Sequence, residues 1–207
     1  MKILALDSSS STASIAFVLL QDSAREILFR SDVPHRRSDS SAIFEGLRSA
    51  VAECGLPQAL CAGIGPGSYN GLRAGIAAAR ALATALNIPL FSLPSPLALS
   101  GPASGFWAVG DARGGHYWIA SVKDGTFLQP PCLLTPFETV TLAQSNPSFP
   151  IYSSSPLPEF DHLILATPDA ARLAILSEKA DPCPATPEPL YLKPPHITAP
   201  RTASPRP

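Results

Sequence analysis

Residues 60–93 read L-C-A-G-I-G-P-G-S-Y-N-G-L-R-A-G-I-A-A-A-R-A-L-A-T-A-L-N-I-P-L-F-S-L: strand, glycine turn, long helix, strand. Leu60–Ile64 is an apolar run of strand length, stopped by Gly65-Pro66-Gly67-Ser68. From about Gly71 to Leu86 the chain is alanine-rich and free of proline, which favours helix, and Asn87-Ile88-Pro89 ends it. Pro89–Leu93 is again strand-like. A strand–helix–strand unit of this kind belongs to an α/β sheet.

Upstream lie three more strands. Lys2–Leu6, Ala13–Leu20 and Glu26–Arg30 follow one another closely, with Gln21-Asp22 as a turn, and predict an antiparallel meander. In Ser40–Cys54, Ile43, Phe44, Leu47 and Val51 recur at helical spacing, and Gly55-Leu56-Pro57 closes the helix. The order β-β-β-α-β-α-β is how a ribonuclease-H-like half begins, the half used twice in actin, Hsp70 and the sugar kinases. A fainter version follows. Phe106–Gly110 and His116–Val122 predict strands around Asp111-Ala112-Arg113-Gly114-Gly115, and Pro136–Ala143 and Pro168–Ser177 predict helices.

The totals exclude several roles. Of 207 residues 45% are hydrophobic and 15% charged, with a formal net charge of −1. A protein that grips a nucleic-acid backbone unaided shows a basic excess, and none is present in the totals. Cys54, Cys61, Cys132 and Cys183 form no C-x-x-C pair, so neither a zinc ribbon nor a redox motif is expected. Met1–Leu20 lacks an apolar export core and no apolar run is long enough to span a membrane, so a cytoplasmic chain with free thiols is expected. The prolines are uneven: seven in residues 1–105, eight in 106–181 and nine in the last 26. That end reads as disordered, apart from the short apolar segment Pro189-Leu190-Tyr191-Leu192-Lys193, which pairs or packs.

The glycine loop matches no common anion motif. No lysine follows Gly71 as a P-loop requires, Asn70 stands where a dinucleotide fingerprint needs glycine, and Pro66 stands where a nucleophile elbow needs it. A tight turn launching a helix, with Ser68 or Asn70 as N-cap, is the plain alternative to an anion cradle. Gly71, Gly75, Ala79 and Ala83 repeat every fourth residue and make one helix face bare. Such a face packs closely on the protein's own sheet or against a partner's helix, with Arg73 and Arg80 at its flanks. His35, His116, His162 and His196 are scattered without metal-ligand spacing. Asp7-Ser8-Ser9-Ser10 resembles the first phosphate loop of actin-like ATPases, and Asp111-Ala112-Arg113 could mimic a second; ordinary hairpin turns are the alternative.

Four blocks in order, Leu4-Ala5-Leu6-Asp7-Ser8-Ser9, Gly65–Arg73, Asp111-Ala112-Arg113 with Tyr117-Trp118, and Pro189–Lys193, resemble the motifs of the TsaB (YeaZ) family. The resemblance implies an α/β, two-lobed actin-like (ASKHA, ribonuclease-H-like) fold with a reduced second lobe. Residues 1–104 would form the first lobe with its dimerisation helices, 105–193 the second, and 194–207 a Pro-rich disordered tail. It further implies a non-catalytic subunit of the bacterial complex that forms N6-threonylcarbamoyladenosine in tRNA. That subunit has no metal or cofactor of its own and binds the catalytic subunit TsaD, which TsaE joins; tRNA is reached through the complex. A nucleotide at the shared interface and a homodimer of the isolated chain are compatible with it. The partner surface would comprise Phe44, Leu47, Gly67, Ser68, Asn70, Gly71, Arg73, Gly75, Ala79 and Arg80. Three positions depart from the family pattern: Asp39 where a histidine is usual, Tyr69-Asn70 for Phe-Thr, and Lys193 for arginine. The enzyme alternatives are a metal-independent hydrolase or peptidase using Ser68, and an actin-like ATPase using Asp7 and Asp111.

Overall fold

In the computed structural model, residues 1–22, 24–34, 41–183 and 186–193 are described. Two five-stranded sheets share one strand order. In the first, β1 (Lys2–Asp7), β2 (Thr12–Gln21) and β3 (Ala24–Pro34) form the expected antiparallel meander. A crossover through α1 (Ser41–Cys54) brings β4 (Ala59–Gly63) parallel to β1, and a second through α2 (Tyr69–Leu86) brings β5 (Leu90–Leu93) parallel to β4. The sheet order is β3-β2-β1-β4-β5. The second sheet repeats it with β6 (Phe106–Asp111), β7 (Tyr117–Lys123), β8 (Thr126–Leu134), β9 (Ile151–Ser153) and β10 (Leu163–Leu165), in the order β10-β9-β6-β7-β8. Here too the first three strands are antiparallel and the last two parallel to the centre. The same half is therefore used twice, which makes the fold two-lobed and actin-like.

Strand length, rather than strand number, is what shrinks in the second lobe: β9 and β10 have three residues each. β8 escapes the sequence pattern because it contains Pro130-Pro131. It is an edge strand, and its register against β7 shifts where the two prolines fall, between Ile119↔Cys132 and Ser121↔Gln129, so that one missing N–H faces outward and the irregularity accommodates the other. The two remaining helices are α3 (Pro136–Gln144), started by a Thr135–Glu138 capping box, and α4 (Ala170–Leu176).

Both faces of the first sheet are covered, so β1 and β2 are buried almost throughout instead of alternating. On one face α1 and α2 pack Ile43, Leu47, Ala50, Ile76 and Ala79 onto Leu4, Leu6, Ile15, Phe17 and Leu60. Gly46 lets α1 descend on β2, since a Cβ there would lie 2.4 Å from Ile15 Cδ1. On the other face sits α4, whose Ala170, Ala171, Leu173 and Ala174 meet Ile3, Ala5, Ala16, Val18 and Cys61. Its first amide is held by Ser14 Oγ at 3.1 Å. A helix from residues 105–193 thus completes the core of the first sheet, and that segment is not one packing unit. The tail 194–207, Ser40, and the sites of His35, Asp39 and His196 lie outside the described residues.

Candidate functional site

The turn after β1 is the first place to look for phosphate chemistry. Asp7, Ser8, Ser9 and Ser10 are all buried. Asp7 Oδ1 accepts from the Ser9 amide at 2.9 Å and the Ser9 hydroxyl at 2.6 Å. Oδ2 points at β4, where a Cβ on Gly63 would lie 1.8 Å from it and 3.0 Å from Ser95 Oγ. Burial pushes the Asp7 pKa above the ordinary carboxylate value, against the opposing hydroxyls of Ser9 and Ser95.

The glycine loop lies directly on this turn. Ser68 N donates to Ser9 O at 2.6 Å, and Ser8 Oγ donates to Gly71 O at 2.8 Å. A Cβ on Gly67 would sit 2.2 Å from Ser9 O; one on Gly75 would sit 2.1 Å from Ser8 Oγ and 2.8 Å from Leu6 Cδ1. Turn, loop and the first turns of α2 are thus in mutual contact, and they leave Asp7 buried, with no hydrogen-bond partner for its Oδ2.

α2 begins and ends by local chemistry. Ser68 Oγ accepts from Gly71 N at 3.3 Å as the N-cap, and Asn87 adopts the left-handed conformation as C-cap. Between them the bare face turns inward: Gly71, Gly75, Ala79 and Ala83 are buried, with Ala79 and Ala83 in the core of the first sheet. This corrects the expectation of a partner face at Gly71, Gly75 and Ala79, and Leu47 is likewise a core residue. The physical reason is proximity to β1, which only glycine at position 75 permits. Of the other expected interface residues, Gly67, Asn70, Arg73, Arg80 and Phe44 are exposed and Ser68 is half-buried.

The outward side of α2 carries a second small register that the sequence reading missed: Ala77, Ala81 and Ala85, all exposed. With Arg73, Arg80 and Thr84 they line a groove of about 610 Å³, whose far wall is Thr186 and Pro189. That wall is tied down. Leu190 N donates to Ile64 O at 2.7 Å, Cys183 N donates to Leu90 O at 2.8 Å, and Tyr191 stacks on Tyr69 at 5.3 Å. Arg73 donates to the Tyr69 hydroxyl at 2.6 Å and lies over its ring. The segment Pro189–Lys193 therefore packs, as expected, without joining a sheet, and Lys193 Nζ reaches Arg113 O at 2.8 Å.

Asp111 serves its own hairpin. Its Oδ1 accepts from Arg113 N at 2.7 Å, and its other oxygen faces the exposed Arg113 guanidinium at 3.5 Å. His116 bonds Gly114 O within the same turn. Among the described residues no group of three His, Cys, Asp or Glu side chains is placed to hold a metal, and no helix is long and apolar enough to cross a membrane. Cys54, Cys61, Cys132 and Cys183 are free thiols, and burial pushes the Cys61 thiol far up.

The TsaD: tRNA N6-adenosine threonylcarbamoyltransferase family matches residues 34–103, the stretch that carries α1, β4, α2 and β5. The fold is similar to a Pseudomonas aeruginosa protein described as uncharacterized with similarity to peptidase YeaZ. The TM-score is 0.73 at 20% identity, over 93% of this chain and 99% of that one. It is also similar to YeaZ from Pseudomonas aeruginosa, with a TM-score of 0.65 at 19% identity over 86% and 91% of the two chains. A search of curated proteins finds no match. The family match is confined to residues 34–103, and at 20% and 19% identity the two solved structures show a shared fold.

Proposed function

We propose that this TsaB-type chain is a non-catalytic subunit that binds and supports TsaD in the complex forming N6-threonylcarbamoyladenosine in tRNA. The observation that carries the non-catalytic part is the buried Asp7 turn. An actin-like ATPase needs its first-strand aspartate within reach of metal and phosphate. Here the carboxylate is buried, hydrogen-bonded to Ser9 and hemmed in by Gly63. Ser68, the nucleophile of the hydrolase alternative, has its Oγ held as the helix cap, accepting the Gly71 N–H. The partner is supported by the TsaD-family match over α1 and α2 and by the exposed Phe44, Arg73 and Arg80 on those helices. In this reading the chain acts in the cytoplasm, TsaE joins the pair, tRNA is engaged through the complex, and any nucleotide sits between subunits.

The test uses the purified chain, TsaD from the same organism, and the two mixed. Co-elution as a heterodimer, with tRNA threonylcarbamoylation dependent on TsaD, is expected. Turnover by the chain alone, or calorimetric binding of magnesium-ATP to it alone, would refute the non-catalytic role. Separate elution would refute the partnership.

A further inference from the structure

We infer that the outer edge of β3 pairs with the same edge of a second copy of this chain, antiparallel and centred on Ser31, so that the two first-lobe sheets run on as one. This stands apart from the partner role proposed above, because it uses a strand edge and no helix face.

An edge strand presents unpaired N–H and C=O groups, and folded chains shorten, bend or cover such edges. Of the four sheet edges among the described residues, three are managed in this way. β10 has three residues, β8 carries Pro130-Pro131, and at β5 the Leu90 carbonyl accepts the Cys183 N–H at 2.8 Å. β3 is the exception. It is 11 residues long, and among the described residues no backbone hydrogen bond reaches it from beyond β2. A bulge against β2 leaves Leu28 out of register, and Pro34 ends the strand, so the regular stretch open to pairing is 29–33.

That stretch is complementary to itself. Phe29, Ser31 and Val33 share one face, where Phe29 and Val33 pack against the core under α1; Arg30 and Asp32 share the other. Residues directly opposite in an antiparallel pair lie on the same face, which admits only registers centred on a residue. Centred on Ser31, Arg30 of each copy meets Asp32 of the other, and Phe29 of each meets Val33 of the other. Centred one residue to either side, Arg30 would face Arg30 or Asp32 would face Asp32, and like charges directly opposite are destabilising. Face and charge together leave one register. Within the chain Arg30 lies 3.8 Å from Asp32 and 3.3 Å from Asp169, yet the Arg30 and Asp32 side chains stay 48% and 45% exposed, open to a cross-strand partner.

A charge-exchange cycle tests the register. Sedimentation equilibrium of the full chain over a concentration series should show a dimer for the wild type. Arg30→Asp sets aspartate against aspartate at both cross-strand positions, and Asp32→Arg sets arginine against arginine. Each variant alone should weaken the dimer at least ~10-fold. Mixed in equal amounts, the two become complementary at both positions and should form a heterodimer that neither makes alone. Circular dichroism melting checks that each variant is folded. Hydrogen exchange of the wild type, at concentrations where monomer or dimer dominates, reads the same contact without substitution: amides within 29–33 should gain protection in the dimer. A wild type that stays monomeric at every concentration overturns the inference. So does a dimer that both single reversals leave intact, or a mixture of the folded variants that fails to associate. Protection gained on α1 or α2 with none on β3 assigns the dimer to a helix face and overturns it equally.

Discussion

Gly75→Ala adds one methyl group at the point where α2 touches the Asp7 turn. On an exposed helix face this change would stabilise, by about 1 kcal/mol of helix propensity. Here the new Cβ would lie 2.1 Å from Ser8 Oγ and 2.8 Å from Leu6 Cδ1. Ser8 must turn away, giving up its 2.8 Å bond to Gly71 O inside the core. A buried hydroxyl left unpaired costs about 1–3 kcal/mol, and pushing Leu6 aside costs about 1–3 kcal/mol as overpacking. Against the propensity gain of about 1 kcal/mol the net loss is roughly 1–5 kcal/mol. For a chain of this size a loss of about 3 kcal/mol lowers Tm by roughly 6–12 °C. Urea denaturation followed by circular dichroism reads it, and the Gly75→Ala/Ser8→Ala pair should recover part of the loss by removing one of the two collisions. A Gly75→Ala protein as stable as the wild type, or more so, would refute this placement of α2 and return the glycine–alanine face to solvent.

Other substitutions separate the remaining roles. Asp7→Asn should raise stability at neutral pH. Burial raises the folded-state pKa of Asp7 above its ordinary value. Its contribution is therefore fully present below the unfolded pKa and declines as pH rises through the folded one; urea midpoints between pH 4 and 8 should show that decline in the wild type and a flatter profile in the variant. Ser68→Ala removes the α2 cap and should cost about 1 kcal/mol in the same assay, while leaving TsaD-dependent tRNA modification intact once the protein is folded. Phe44→Asp changes a side chain that is 54% exposed. It should shift stability by less than about 0.5 kcal/mol yet raise the Kd for TsaD measurably; unchanged binding would remove α1 from the docking face.

What the sequence determined by itself is what local chemistry decides. Ser68 as cap, Asn87-Ile88-Pro89 as stop, the three-strand meander and the alternation that follows need only neighbouring residues, and each stands where expected. β8 did not yield, because two prolines are tolerable only on an edge, and edges exist only once a sheet is assembled. α4 was legible as a helix over 168–177 but its place was not: this short alanine-rich helix from the second half finds its apolar partner on β1, β2 and β4. Tertiary structure alone decided which way α2 faces. Small residues recur every fourth position on both sides of it, so periodicity marks two bare stripes and does not rank them. Contact with the Asp7 turn ranks them: Gly75 is the position where no side chain fits, so that stripe goes inward and Ala77, Ala81 and Ala85 stay exposed along the groove.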